Sequence, residues 1–169
     1  MNEPHPNFTI ARTLDAPRAL VYKAWSEPER LAQWWGPQGF ELIVLKLDFR
    51  PGGVFHYCMR GTGCPDMYGR FDYLEIVPGA RIAYLSGFAD AEGQLIRAPF
   101  PGMDTWPLLM HNVLTLDEAD GKTLLHLSVQ AHEASAAEQD TFFAGHLSMQ
   151  GGFGGTLAKL DGYLAKEQA

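Results

Sequence analysis

The stretch from Asp15 to Pro37 constrains the fold most, because it sets two helix starts, a helix stop and two large aromatics side by side. Asp15 is a good N-cap residue and Pro17 suits a first helical turn. Leu20, Val21, Ala24 and Trp25 then recur at the spacing of one apolar helical face. Ser26 and Pro28 end that helix and open another: the serine can cap, the proline fits the first turn, and the helix dipole favours Glu29 there. Leu31, Trp34 and Trp35 follow, and Gly36-Pro37 stops the second helix. Two helices this short cannot bury their aromatics against each other. They need a sheet to lie on.

The rest of the chain supplies that sheet. Phe8 to Leu14 reads as a first strand, and Glu41 to Asp48 opens a series that continues with Gly53 to Arg60, where Phe55, Tyr57 and Met59 alternate with smaller or polar groups. Tyr68 to Ile76 and Ala80 to Phe88 are joined by the Val77-Pro78-Gly79 turn, and Leu108 to Leu116 pairs with Thr123 to Ala131 across Asp117 to Gly121. Strands joined by short turns imply an antiparallel meander.

A single long helix is expected from Ala136 to Ala165, about 45 Å at 1.5 Å per residue. Phe142, His146, Met149, Phe153, Leu157, Leu160 and Leu164 form its apolar stripe. Gly151, Gly152, Gly154 and Gly155 interrupt it, each at a cost of up to about 1 kcal/mol relative to alanine. They serve either close approach to the sheet or room for a ligand beside Met149 and Phe153.

Ala16-Pro17, Leu20-Val21-Tyr22, Ala24-Trp25, Pro28-Glu29, Leu31, Trp34-Trp35-Gly36-Pro37 and Arg50-Pro51-Gly52-Gly53 occur in the order seen in the START-like (SRPBCC) superfamily. Gly69-Arg70-Phe71, Leu74 to Pro78, Gly121-Lys122-Thr123 and the Gly145 to Leu157 segment extend the likeness over nearly the whole chain. Within the superfamily the chain most resembles homologues of the heat-shock-protein ATPase activator domain. The resemblance implies an α+β helix-grip fold, one START-like domain over residues 1–169, in which a curved antiparallel sheet surrounds the C-terminal helix. Proteins of the superfamily commonly hold hydrophobic or amphipathic molecules between sheet and helix, so a non-catalytic binding protein for a small ligand is the leading expectation. An enzyme of the polyketide-cyclase type is the alternative. A co-chaperone that stimulates a heat-shock ATPase ranks third, because the eukaryotic activator acts with a further N-terminal domain for which this chain is expected to leave no room.

The cavity lining expected from the first half of the chain is Trp34, Trp35, Phe55, Tyr57 and Tyr73. From the second half it is Trp106, Met110, Phe142, Met149 and Phe153, residues that suit an apolar pocket oriented by a few polar groups. His111 and His146 are the polar candidates; a neutral imidazole at His146 offers one hydrogen bond in an apolar wall. No nucleophile elbow, metal-binding histidine pair, P-loop or dinucleotide fingerprint occurs, so no cofactor, metal or catalytic set is expected. The proline-rich Ala89 to Pro107 segment is long for a hairpin and is expected to cover the cavity mouth or to pack on a second subunit as a homodimer.

A net charge of −7 with 13 Lys plus Arg scattered along the chain leaves no basic patch for nucleic acid. No apolar run approaches the roughly 18 residues of a membrane span, and Met1 to Pro6 resembles no signal peptide, so a cytoplasmic location without membrane insertion is expected. Cys58 and Cys64 lack CxxC spacing and are expected as free thiols.

Overall fold

In the computed structural model, which describes residues 4–169, β1 (Phe8–Leu14) leads into α1 (Arg18–Ser26) and α2 (Pro28–Trp34). The helices lie where the apolar spacing puts them, but their caps differ. Pro17 precedes α1 and caps nothing with its side chain; the Arg18 amide instead donates to Glu118 Oε1 at 3.1 Å, a partner a hundred residues away that displaces Asp15. Ser26 does not cap α2, since its hydroxyl donates back to the Tyr22 carbonyl at 2.8 Å. Glu27 takes the cap position and holds Arg30 at 2.7 Å, with Pro28 at the first helical position and Glu29 in the first turn.

The strands that follow are β2 (Phe40–Leu47), β3 (Val54–Gly61), β4 (Met67–Val77), β5 (Arg81–Ala89), β6 (Leu95–Ile96), β7 (Leu109–Ala119) and β8 (Lys122–His132). All pairings are antiparallel in one eight-stranded sheet ordered β1-β8-β7-β5-β4-β3-β2, with β6 beside β5. β1 and β2 thus occupy opposite edges, and α1 and α2 bridge the chain between them. Register shifts at Val44/Lys46 and Tyr73/Glu75 leave Leu45 and Leu74 as extra residues that stay half-exposed, and such bulges bend a sheet. The result is a curved open sheet in the helix-grip arrangement.

Alternation assigns the faces. Phe55, Tyr57, Phe71, Tyr73, Ile82, Tyr84, Leu114, Leu116, Leu125, Leu127 and Val129 point into the buried core, where α1 and α2 contribute Val21, Trp25, Leu31 and Trp34. The C-terminal segment is two helices rather than one: α3 (Ala136–Ala144) and α4 (His146–Glu167) meet at Gly145. A Cβ on Gly145 would lie 2.9 Å from the Trp106 ring, so that indole sits where a continuous helix would place its wall. α3 begins with a reciprocal cap in which Ser135 accepts from the Glu138 amide and Glu138 accepts from the Ser135 amide, both at 3.1 Å. Leu157, Leu160 and Leu164 bury the far end of α4 in the core.

The Ala89 to Pro107 segment is pinned to α3 and also reaches the sheet, where Phe100 packs edge-on against Phe88 with ring centres 5.7 Å apart. Arg97 pairs with Glu138 at 2.7 Å, and Trp106 packs on Phe142 with ring centres 5.6 Å apart. Cys58 is buried and Cys64 exposed, and both are free; burial pushes the Cys58 thiol pKa up. No described helix is long and apolar enough to cross a membrane.

Candidate functional site

Beneath the N-terminal half of α4, the core is not filled. An inner hollow of about 150 Å³ is lined from the sheet by Phe71, Tyr84, Ser86, Phe88, Met110 and Asn112, and an outer one of about 220 Å³ opens past Gly36, Pro37, Met149, Gly152 and Thr156. Trp35, Tyr57, Met59 and Phe153 border both. The two hollows are neighbouring parts of one apolar cleft between sheet and helix.

Local sequence explains why the space exists. Tyr57 pairs with Gly69 across β3 and β4, and a Cβ at Gly69 would overlap the Tyr57 phenol, so the glycine lets the ring lie flat across the sheet. Side chains attached at Gly151, Gly152 and Gly154 would meet nothing within 4 Å. Close approach to the sheet is therefore not what these three glycines provide, while a Cβ at Gly155 would sit 3.8 Å from the Gln38 side chain. Burial raises the Tyr57 pKa to about 12 and that of Tyr84 well above its ordinary value, so both phenols stay protonated at neutral pH. The Tyr84 hydroxyl is buried without a hydrogen-bond partner. Asn112, 2% exposed, places its amide nitrogen 2.8 Å from Ser86 Oγ.

A family model described as "Activator of Hsp90 ATPase homolog 1-like protein" matches residues 15–165. The chain belongs to that family. Among solved structures, a protein from Arthrobacter aurescens is 24% identical, with a TM-score of 0.77 over 95% of this chain and 86% of its own. The AHSA1 protein from Silicibacter pomeroyi is 20% identical, with a TM-score of 0.71 over 95% of this chain and 99% of its own. DynU16, from the dynemicin biosynthetic locus, is 19% identical with a TM-score of 0.61, and 96% of this chain matches 48% of that one. At such identities the likeness is one of fold. No protein of curated function matches the sequence.

Of the expected lining residues, Trp35, Tyr57, Met110, Met149 and Phe153 all reach the cleft. The other expected lining residues lie elsewhere. Trp34 is fully buried beneath Trp35, its indole donating to the Ala24 carbonyl at 3.0 Å. Phe55 and Tyr73 are core residues packed on Phe71, and Phe142 and Trp106 close the α3 end. His111 follows Met110 on β7 and so faces the opposite side, its ring 6.3 Å from His132. Met59, Phe71, Tyr84, Ser86, Phe88 and Asn112 complete the wall unanticipated. Their signal is the inward parity of β3, β4, β5 and β7, with Ser86 and Asn112 as polar residues in otherwise apolar rows.

His146 opens α4 outside the cleft. Its ring meets Phe8, Phe142 and Phe143 edge-on at centroid distances of 5.5, 5.1 and 5.1 Å, and its Nε2 is buried without a partner among the described residues. Burial, then the nearby His5, lowers its pKa. The unfolded chain therefore holds a proton on this residue more readily, and stability is lost as pH falls through the ordinary histidine value near about 6.5. His146→Phe is expected to raise the melting temperature at pH 5 more than at pH 8. His111, lowered by burial and then by His132 and Arg81, leaves part of the wild-type slope in place. Equal shifts at the two pH values would show that His146 carries none of the pH dependence.

Proposed function

We propose that this protein binds a small hydrophobic or amphipathic molecule in the cleft between its sheet and α4. The observation that carries the reading is the pair of neighbouring, mostly apolar hollows that share Trp35, Tyr57, Met59 and Phe153 as walls, with Gly152 at the outer rim where a Cβ would meet nothing within 4 Å. A mostly apolar, largely preformed concavity with a few convergent polar groups is the usual form of a small-molecule site.

Binding is favoured over turnover by the composition of the wall. Among the described residues it contains neither histidine nor carboxylate, and its tyrosines have raised pKa values, so acid–base chemistry of the polyketide-cyclase kind has no group there that titrates near neutral pH. The test is a thermal-shift screen of fatty acids, sterols and aromatic polyketides. A ligand held only by the folded state stabilises it by about 2.7 kcal/mol at 100 times its Kd, a shift of several degrees for a chain of this size. At least one clear hit is expected. A screen in which no compound raises the melting temperature counts against the reading.

A further inference from the structure

We infer that the cleft selects uncharged ligands carrying an acceptor oxygen, which the Ser86 hydroxyl recognises from the floor of the inner hollow. The inference rests on the ligand-binding reading above and narrows it.

The argument starts at Asn112. Its amide nitrogen lies 3.1 Å from the Met110 carbonyl and 3.4 Å from the Tyr84 carbonyl, as well as 2.8 Å from Ser86 Oγ. Backbone carbonyls only accept hydrogen bonds, so the side-chain amide must turn its NH₂ toward them and its oxygen away. Ser86 Oγ, facing that same nitrogen, can then only accept from it. The serine's own hydrogen is left over, and among the described hydrogen bonds it donates to no protein group. Ser86 lines the inner hollow, and an apolar cavity holding an uncommitted O–H donor is completed by a ligand oxygen: a ketone, ether or hydroxyl.

Charge decides what that oxygen belongs to. Neither hollow is lined by lysine, arginine or histidine. Lys159, near the outer rim, is held by the Gly36 and Pro37 carbonyls at 3.2 and 3.4 Å. A carboxylate entering the inner hollow would lose its hydration with no cation to replace it, a cost far larger than one hydrogen bond returns. The neutral oxygen is accepted and the anion refused.

The inner hollow, at about 150 Å³, matches apolar cavities that accept benzene, which sets the probe size. Acetophenone, α-methylstyrene and benzoate share one shape and differ at one group: a carbonyl oxygen, a methylene in its place, or a carboxylate. Titration by ligand-observed NMR is expected to show acetophenone binding about three- to ten-fold tighter to the wild-type protein than to Ser86→Ala, the worth of one net hydrogen bond, with α-methylstyrene equal in the two and benzoate undetectable. Ser86→Ala keeps both carbonyl bonds of Asn112, and comparing each ligand with itself across the two proteins cancels the difference in hydration between ketone and hydrocarbon. In the wild-type protein, the bound ketone's carbonyl stretch should fall below its frequency in hexane, a readout that needs no variant.

Acetophenone affinity unchanged by Ser86→Ala, an unshifted carbonyl stretch, or binding of benzoate overturns the selectivity while leaving the pocket standing. Failure of all three probes to bind overturns the pocket and the selectivity together.

Discussion

Replacing Gly152 by leucine is expected to stabilise the protein and to abolish ligand binding. A Cβ at this position meets nothing within 4 Å, so the new side chain enters the outer hollow without displacing a neighbour. Leucine is better than glycine inside a helix by about 0.8 kcal/mol, which raises the melting temperature by about 2–4 °C for a chain of this length. The same side chain occupies volume a ligand would use between Met149 and Phe153, and any hit from the thermal-shift screen should weaken by about ten-fold or more, the worth of roughly two buried methylenes. Gly154→Ala, with equally open surroundings but away from the cleft, is expected to raise the melting temperature alone. Unfolding of Gly152→Leu would mean that the glycine serves packing after all. Unchanged binding in a folded variant would move the site elsewhere.

Gly53→Ala is expected to be the most damaging glycine substitution in the chain. A Cβ there would overlap the Asp48 carbonyl oxygen, and it would also lie 2.9 Å from the Asp48 carbonyl carbon and 3.0 Å from the Arg50 oxygen, all of them backbone. The turn cannot yield, because Gly53 donates to Arg50 at 2.8 Å while Tyr73 donates to Gly53 at 3.0 Å and Gly52 to Tyr73 at 2.8 Å, tying it to β4. The expected loss is on the order of 4 kcal/mol, a fall in melting temperature of about 10 °C or more. Its neighbour Gly52 has φ +83° and open surroundings, so Gly52→Ala should cost only about 1 kcal/mol, the price of a left-handed residue. Chemical denaturation of both variants separates the two cases. Similar small losses would show that the β2–β3 turn relaxes.

Local patterns carried most of the fold. The spacing of Leu20, Val21, Ala24 and Trp25, the Pro28 and Gly36-Pro37 boundaries and the alternation of Phe55, Tyr57 and Met59 each follow from a period intrinsic to the backbone, and apart from the divided C-terminal helix and the short, unexpected β6 the elements stand within a residue or two of their expected places or extend them by up to three. The same periodicity bears on the site: Met110 and His111 are adjacent in a strand, so only one of them can face a cavity. Parity alone separates them, and it also points to Ser86 and Asn112.

Other features depend on groups far away in sequence. Asp15 is a good cap by type, yet Glu118 reaches the Arg18 amide first because β7 brings it there. Gly145 is a break signal by type, but Gly151, Gly152, Gly154 and Gly155 are of the same type and stay helical; what sets Gly145 apart is the Trp106 ring, 2.9 Å from where its Cβ would lie. His146 lies on the expected stripe, but the two-helix break leaves it against Phe8 and Phe143, outside the cleft.

The sequence by itself determined which segments are helices and strands, which side of each is apolar, and membership of a family with a helix-grip sheet, because these depend on nearest-neighbour periodicity and motif order. Only the tertiary structure decided which apolar residues are core and which border empty space. That distinction depends on how well side chains from distant strands fill a common volume. Here Gly69, which lets the Tyr57 ring lie flat across the sheet, and Gly152 on α4 leave part of that volume unfilled.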